Sequence, residues 1–214
     1  MKLYYFTTAH YAIVALALRR LRVSRLENLN DPYELLSIGG GTAWHRGAFL
    51  QVRAQLNTSK GMLCFSTQWG NPVLWGHYAD GHTGIALAFE VPDDLSVAID
   101  YVDVPLQAAV DTASGRLDLT EELADRLIRS KFSDWHYEAE RRIFVQLDRS
   151  DCESGSYYID FNDNLMLQEV ILGPLCELPS NRIRNMLNSL YPGVKHIRTQ
   201  LAGDAFRVER LDER

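Results

Sequence analysis

The chain has 214 residues, of which 46% are hydrophobic and 23% are charged, and its formal net charge is −6. This length and composition predict one globular domain, residues 1–214, with a sizeable core and no need for stabilising crosslinks. The negative charge argues against non-specific nucleic-acid binding, which depends on clustered lysine and arginine. The one arginine cluster, at residues 19–25, is typical of a solvated helix end and the strand after it.

The cysteines and the N-terminal segment indicate the cellular compartment of the protein. Cys64, Cys152 and Cys176 are widely spaced, so we expect neither a disulfide framework nor a metal site, and a reducing compartment is indicated. The apolar stretch at 12–18 is shorter than the about 20 residues that cross a bilayer, and it lacks a signal-peptide cleavage site. We therefore expect a cytoplasmic protein without a membrane segment. The sequence does not indicate an oligomeric state.

The first half of the chain alternates between strands and helices. Residues 2–6 are predicted as a strand, and Thr7 or Thr8 caps a helix that runs to about residue 19. Because this helix is apolar on nearly every side, we expect it to be deeply buried. A turn is predicted at Asn30-Asp31-Pro32. Further predicted elements are a strand at 21–24, a helix at 44–56, a strand at 62–66, a helix at 72–79 and strands at 83–91 and 97–102.

The second half is richer in strands. Thr120 is predicted to cap a helix that continues to about residue 135, with Glu121 and Glu122 favourably placed in its first turn. Ser180 is predicted to cap a short helix that ends before Pro192. Strands are predicted at 141–147, 157–161, 169–172, 196–201 and 206–210. Helices interspersed irregularly among many strands predict an α+β fold with mixed or antiparallel sheets, not a repeating βαβ architecture.

A first candidate site lies around Ser66 and the segment 75–80. On a helical turn Trp75 and Tyr78 share one face, and His77 lies between them in sequence. Each aromatic residue alone is more often a core anchor, and a lone histidine more often has a structural role. Taken together they favour a binding site, because three nearby glycines permit close approach of the backbone: Gly76, Gly81 and Gly84.

A second candidate site is the charged face of the strand that contains Glu138, Glu140 and Arg142. Alternation places these three side chains on one face, opposite the apolar residues 143, 145 and 147. Charges on a core-forming sheet indicate either a cleft or a structural ion pair on an exposed face, and both interpretations stay open. A glutamate beside an arginine stays ionised, which suits stabilising a developing cation or orienting a hydroxyl. Neither a GxSxG nor an HExxH motif occurs.

Segments along most of the chain share their order and spacing with one known family. They are Leu3-Tyr4-Tyr5-Phe6, Asn30-Asp31-Pro32-Tyr33-Glu34, Leu63-Cys64-Phe65-Ser66, Leu74-Trp75-Gly76-His77-Tyr78-Ala79-Asp80, Gly84, Phe89-Glu90, Lys131, Trp135, Tyr137-Glu138-Ala139-Glu140-Arg141-Arg142 and Val170-Ile171-Leu172-Gly173. In these segments the chain resembles the uncharacterised bacterial domain-of-unknown-function family 2971. That resemblance implies a fold but no particular reaction.

A second likeness rests on Tyr5 with Thr7, on Ser66 and on Glu138-x-Glu140. In this layout the chain is similar to the ADP-ribosyltransferase superfamily, especially its DNA-modifying branch. That superfamily normally has His or Arg in the first motif to hold the nicotinamide end of NAD, and Tyr5 stands there in this sequence. The likeness implies an ADP-ribosyltransferase-like fold with NAD as the substrate. The residues expected to bind NAD are Tyr5, Thr7, Ser66, Trp75, His77 and Tyr78.

The resulting expectation is an enzyme that transfers ADP-ribose from NAD to a nucleic-acid or protein acceptor. Glu140 would stabilise the oxocarbenium-like ribose or orient the acceptor, with Glu138 and Arg142 beside it. The alternative is a non-catalytic module that senses a nucleotide or a partner protein in a bacterial defence or stress system. We expect at least three members of one set to line a single pocket: Trp75, His77, Tyr78, Glu140 and Arg142.

Overall fold

The computed structural model describes residues 1–31, 33–34, 38–39, 47, 50, 53–54, 56–107, 110–111, 116–117 and 120–211. The helices are α1 (Ala9–Leu18), α2 (Pro72–Tyr78), α3 (Glu121–Arg129) and α4 (Ser180–Leu190). The strands are β1 (Lys2–Thr7), β2 (Arg20–Arg25), β3 (Ile38–Gly39), β4 (Lys60–Ser66), β5 (Ile85–Glu90), β6 (Val97–Ala98), β7 (Asp100–Val102), β8 (Leu106–Gln107), β9 (Val110–Asp111), β10 (Arg116–Leu117), β11 (Ser130–Phe132), β12 (Glu140–Gln146), β13 (Tyr157–Asp160), β14 (Met166–Leu172), β15 (Lys195–Leu201) and β16 (Val208–Arg210). The helix predicted at 44–56 falls largely outside the described residues.

Within this described part, ten strands form one large mixed, mostly antiparallel sheet. The strand order is β13-β2-β4-β1-β5-β14-β15-β16, and β12 pairs with both β4 and β6. Strands β14 and β15 run parallel, whereas β1, β4, β5 and β12 pair in antiparallel fashion. The predicted α+β class with mixed and antiparallel pairing is confirmed. No described helix is long and apolar enough to cross a membrane.

The end of β4 is the point where three segments that are distant in sequence meet. Ser66 pairs with Tyr4 on β1 and with Glu140 on β12. On β12, Ile143 and Val145 pack against the main core cluster, while Arg142 is buried on the opposite side, next to Glu140. The period of two in this strand therefore places Glu140 and Arg142 on one face and Ile143 and Val145 on the other.

Helix α1 is less buried than its composition predicts. Thr8 caps it as expected, with Oγ1 accepting a hydrogen bond of 3.2 Å from the Tyr11 amide. Ala12 and Leu16 are fully buried, but Tyr11 and Leu18 are 56% and 54% exposed. The prediction of deep burial was wrong, because one face of the helix docks on the sheet and the apolar residues of the other face remain at the surface.

Two helix boundaries and one strand also differ from the predictions. Thr120 caps α3 through its side chain, but the helix ends at Arg129 because Ser130 takes an extended conformation and β11 pairs in parallel with β7. The strand predicted at 97–102 is two short strands, of which β6 joins β12 and β7 joins β11. Ser180 is the first residue of α4 and not its cap, since Pro179 precedes it without a capping hydrogen bond.

Gly84 lies where the backbone segments around it leave no room for a side chain. A Cβ atom there would lie 2.3 Å from the Thr7 carbonyl oxygen and 2.8 Å from the backbone of Ala79. We expect Gly84→Ala to lower the free energy of unfolding by about 1–3 kcal/mol, because backbone atoms cannot give way as a flexible side chain can.

Gly76 provides the matched control for this prediction. It lies within α2, and an added Cβ would be 3.8 Å from the nearest atom, His82 Nε2. Gly76→Ala should stabilise the protein by about 0.5–1 kcal/mol, because alanine loses less backbone entropy in a helix. Urea unfolding of both variants is the measurement, and equal effects at the two positions would contradict the packing argument.

Candidate functional site

A cavity of about 330 Å³ opens where β1, β4 and β12 meet, and we call it the central cavity. Its walls come from β1, the end of β4, α2, the turn at Leu26–Asn28 with the segment after it, and β11 and β12. The sequence-predicted residues that line it are Tyr5, Ser66, His77, Tyr78, Glu138 and Glu140. The structure adds Asn30, Glu34, Cys64 and Lys131, among others.

The floor of the central cavity is a buried group of five charged side chains, which we call the ion cluster. Its members are Glu34, Lys131, Glu138, Glu140 and Arg142, and each is almost completely buried. Charges in a protein interior persist only when they are paired and hydrogen-bonded. Three carboxylates face two cations here, so the fully ionised cluster has one excess negative charge.

Arg142 is the cation that lies deepest in the ion cluster, with a side chain only 1% exposed. Its Nε donates to Glu140 Oε1 at 2.6 Å, and its Nη2 donates to Glu34 Oε2 at 2.5 Å. Nη1 donates to the Ile128 carbonyl oxygen at 3.0 Å. The guanidinium thus joins β12, the end of α3 and the segment at residues 33–34.

Lys131 is the second cation and touches all three carboxylates. Its Nζ lies 2.5 Å from Glu138 Oε2, 3.0 Å from Glu34 Oε1 and 3.1 Å from Glu140 Oε2. Burial by itself would lower the pKa of Lys131, but the three carboxylates outweigh burial and raise that pKa. Lys131 therefore remains charged, and it holds Glu138 and Glu140 beside each other.

The two neighbouring glutamates have opposite pKa shifts. Burial alone would raise the pKa of Glu140, but Arg142 and Lys131 outweigh it and lower that pKa to about 2. For Glu138, burial outweighs the attraction of Lys131, so the pKa is raised. Paired carboxyl groups with diverging pKa values are the usual arrangement for one ionised group and one proton carrier. Glu140 is thus the permanent anion and Glu138 the group that can exchange a proton.

Tyr78 connects Glu138 to the cavity wall. Its hydroxyl donates to Glu138 Oε1 and accepts a hydrogen bond of 2.7 Å from the Asn30 side-chain amide. Burial and the Glu138 carboxylate raise the pKa of this phenol, so it stays protonated. His77, the residue before Tyr78, has its Nδ1 2.8 Å from the Tyr137 hydroxyl.

Ser66 and Tyr5 form the opposite wall. Ser66 Oγ donates to the Glu138 carbonyl oxygen at 2.6 Å and accepts from the Gln68 amide, so this hydroxyl positions the turn that precedes Glu140. Burial, reinforced by the nearby Cys64, raises the pKa of Tyr5 to about 12 even though Arg22 opposes the shift. Burial likewise raises the pKa of Cys64, so that side chain is a neutral thiol and not a reactive thiolate.

Three predicted site residues do not line the central cavity. Trp75 is fully buried, packs edge-on against Phe6 and donates from Nε1 to the Trp69 carbonyl oxygen at 2.6 Å. Trp75 was expected among the NAD-binding residues, but in the structure it anchors α2 to the core. Arg142 lies behind Glu140 and Glu34. Thr7 lines a neighbouring groove.

His77, Tyr78 and Glu140 do share one cavity. Glu138, predicted on the strand, instead ends the 3₁₀ turn at Ser133–Glu138. Ala139 then takes a left-handed conformation, with φ of 44°, and this reversal brings the Glu138 carboxylate to the same lysine as Glu140.

Glu34 and Lys131 are the members that the sequence did not reveal as site residues. Lys131 fell within the helix predicted from Thr120 to about residue 135, and Glu34 followed a turn with no periodicity to orient it. The available signal was their presence in the family-like segments. Among the described residues, no group of three or more His, Cys, Asp or Glu side chains is arranged to hold a metal ion.

The opposite pKa shifts predict how Glu138→Gln changes the pH dependence of stability. A carboxyl whose folded pKa is raised contributes stability that is fully present below its ordinary value of 4.5 and is lost as the pH rises through the folded pKa. Glutamine cannot lose this proton. We therefore expect Glu138→Gln to gain free energy of unfolding relative to wild type as the pH rises from 4.5 toward neutrality.

Urea unfolding across that pH range is the measurement for Glu138→Gln. Glu140→Gln provides a control for which the opposite pH dependence of stability is expected. Because the pKa of Glu140 is lowered, its charge contributes stability above pH 4.5 that is lost as the pH falls toward about 2. Parallel stability curves for wild type and Glu138→Gln would show that Glu138 has no raised pKa.

Comparisons with known proteins identify no relative: no family model, no curated protein and no solved structure matches this chain. The function is therefore inferred from the central cavity and its ion cluster.

Proposed function

We propose that this protein is an ADP-ribosyltransferase-like enzyme that transfers ADP-ribose from NAD to a nucleic-acid or protein acceptor. The observation that carries the proposal is the register around Ser66. The three segments that resemble the motifs of that superfamily lie on adjacent strands, with Ser66 paired to Tyr4 on one side and Glu140 on the other. All three segments line one cavity that contains an ionised carboxylate.

The cavity wall suits the nicotinamide end of NAD. The oxidised nicotinamide ring is a flat cation, and aromatic faces and carboxylates both attract such a group. Tyr5 and Tyr78 supply the aromatic rings, and the ion cluster supplies the excess negative charge. His77 lies at the exposed side of the same cavity.

The proposed reaction breaks the bond between the nicotinamide nitrogen and ribose C1′. The bonding electrons leave with nicotinamide, which becomes neutral, and positive charge develops on the ribose. A fixed carboxylate in a water-poor site stabilises that charge strongly, and Glu140 has this role. The acceptor nucleophile then bonds to C1′, and its proton passes to Glu138, whose raised pKa suits a general base.

One observation favours the alternative, a non-catalytic module that senses a nucleotide or a partner protein. Both carboxylate oxygens of Glu140 already accept hydrogen bonds, one from Arg142 and the other from Arg142 and Lys131. These cations reduce the field that Glu140 projects into the cavity. Tyr5 also replaces the usual His or Arg of the first motif. A binding module on the same fold needs neither a free anion nor that residue.

The deciding experiment measures nicotinamide release from NAD by the purified protein, with candidate nucleic acids and proteins supplied as acceptors. Calorimetry with NAD gives the affinity in parallel. Turnover with ADP-ribose attached to an acceptor supports the enzyme. NAD binding without turnover under any condition supports the sensing module. Folded protein that neither binds nor consumes NAD contradicts the proposed enzyme.

A further inference from the structure

A second cavity, of about 420 Å³, lies beside the central one, and we call it the side groove. It runs between α1 and β2, with Thr7 at the end of β1 and Tyr158 on β13 in its walls. Tyr5, Ser24 and Asn28 line both cavities, so the two are neighbours that share a wall. Small-molecule sites are commonly about 300–1,000 Å³, so the side groove is large enough for a nucleotide.

The two cavities differ in charge. The described charged lining of the central cavity is three carboxylates and one lysine: Glu34, Glu138, Glu140 and Lys131. The described lining of the side groove contains two arginines and no carboxylate. Arg20 is already paired, with Nη1 at 2.8 Å from Glu153 and its guanidinium 3.9 Å from the centre of the Tyr158 ring.

Arg22 is different from Arg20. It is exposed, and among the described residues no carboxylate forms an ion pair with it. Its charge also acts on Tyr5, which belongs to both cavities, so Arg22 lies near their common wall. A guanidinium without a carboxylate partner, in a groove whose described lining has no carboxylate, is a suitable partner for a phosphate group.

We propose that the side groove binds the ADP portion of NAD, with Arg22 holding the pyrophosphate, while the nicotinamide end occupies the central cavity. This inference rests on the proposed function and deepens it. A pyrophosphate would be repelled by the carboxylates of the central cavity and attracted by Arg22. The cationic nicotinamide ring would be attracted by these carboxylates and repelled by Arg22. Charge therefore orients the dinucleotide across the common wall.

The apolar part of the side groove suits the adenosine. Tyr11 and Leu18 on α1 are more than half exposed, and both line the groove together with Val14. A purine ring stacked against them would cover this surface, since aromatic side chains stack on any base. The bound adenosine would therefore cover the exposed apolar face of α1, whose exposure the composition did not predict.

Calorimetry with two separate probes tests the inference: ADP for the side groove and 1-methylnicotinamide, a small pyridinium cation, for the central cavity. Arg22→Gln should weaken ADP binding about tenfold or more, since hydrogen bonds to charged groups contribute about 1.5–3 kcal/mol. The same variant should leave binding of 1-methylnicotinamide unchanged. Arg22→Lys keeps the charge and should retain part of the ADP affinity.

Arg182→Gln is the matched control, because Arg182 is exposed on α4 and lines neither cavity. ADP that fails to bind wild type at millimolar concentration, or binds Arg22→Gln equally well, overturns the inference. If the protein binds 1-methylnicotinamide and cleaves NAD but does not bind ADP, the proposed function stands and the assignment of the side groove fails. If ADP binds through Arg22 but NAD is neither bound nor consumed, the groove is a nucleoside diphosphate site and the proposed enzyme fails.

Discussion

Arg142→Met is expected to lower the free energy of unfolding by about 3–5 kcal/mol, the usual loss when one partner of a buried ion pair is removed. Methionine replaces the aliphatic part of the arginine side chain, while the charge and its hydrogen bonds disappear. Glu34 and Glu140 would then have Lys131 as their remaining cation in the ion cluster. Domains of this kind are stable by about 5–15 kcal/mol, so the loss would be a large fraction of the total.

Arg141→Met is the matched control, because Arg141 precedes Arg142 on the same strand. It donates to the hydroxyl and the carbonyl of Ser96 and has no carboxylate partner within the described part of the chain. Because these acceptors are uncharged, Arg141→Met leaves no buried charge without a partner, and the free energy of unfolding should fall by about 0.5–1.5 kcal/mol for each hydrogen bond. Urea unfolding followed by circular dichroism compares the two variants. Similar losses for Arg141→Met and Arg142→Met would mean that the ion cluster is not the reason for the effect.

The strands were predictable because a period of two is a local signal. On β12, Ile143 and Val145 lie on the face opposite Glu140 and Arg142, and this side of the strand follows from alternation alone. The class of fold followed from the same signal. Alternation does not indicate which strand pairs with which. The sequence therefore could not show that Ser66 lies between Tyr4 and Glu140, and the structure was needed for this.

The ion cluster was half predictable for the same reason. Glu140 and Arg142 are two residues apart on one strand, so their proximity follows from sequence spacing. Glu34 lies 108 residues from Arg142, and nothing local links them. Lys131 was misplaced because Thr120 begins a helix whose end depends on the pairing of β11 with β7, a tertiary contact that overrides helix propensity. Sequence reasoning therefore finds the members that lie close together in the chain, Glu138, Glu140 and Arg142, and misses the two distant ones, Glu34 and Lys131.

Glu140→Gln is expected to reduce nicotinamide release from NAD by about a hundred- to a thousand-fold, the usual cost of about 2.7–4 kcal/mol for losing a preorganised electrostatic group. The substitution keeps the shape of the side chain and removes its charge. It also places an amide where a carboxylate accepts from Arg142 and Lys131. A loss of stability is therefore expected as well, and the kinetic result must be separated from it.

Two controls separate these effects. ADP binding in the side groove reports whether Glu140→Gln is folded, because Arg22 lies in the other cavity and does not touch the ion cluster among the described contacts. Glu138→Gln is the matched variant, since Glu138 contacts the same Lys131 Nζ and is equally buried. It should reduce NAD cleavage less than Glu140→Gln, and mainly reduce transfer to the acceptor, because Glu138 takes the acceptor's proton.

The contrast between the two glutamates is the decisive comparison. Cleavage that depends on Glu140 while transfer depends on Glu138 would assign the ionised carboxyl to the ribose cation and the proton-exchanging carboxyl to the acceptor. Equal losses of both activities in both variants would mean that each substitution only disturbs the ion cluster. Unchanged nicotinamide release by folded Glu140→Gln would show that its charge, already neutralised by Arg142 and Lys131, does not act on the ribose, and the sensing module would then be the better interpretation.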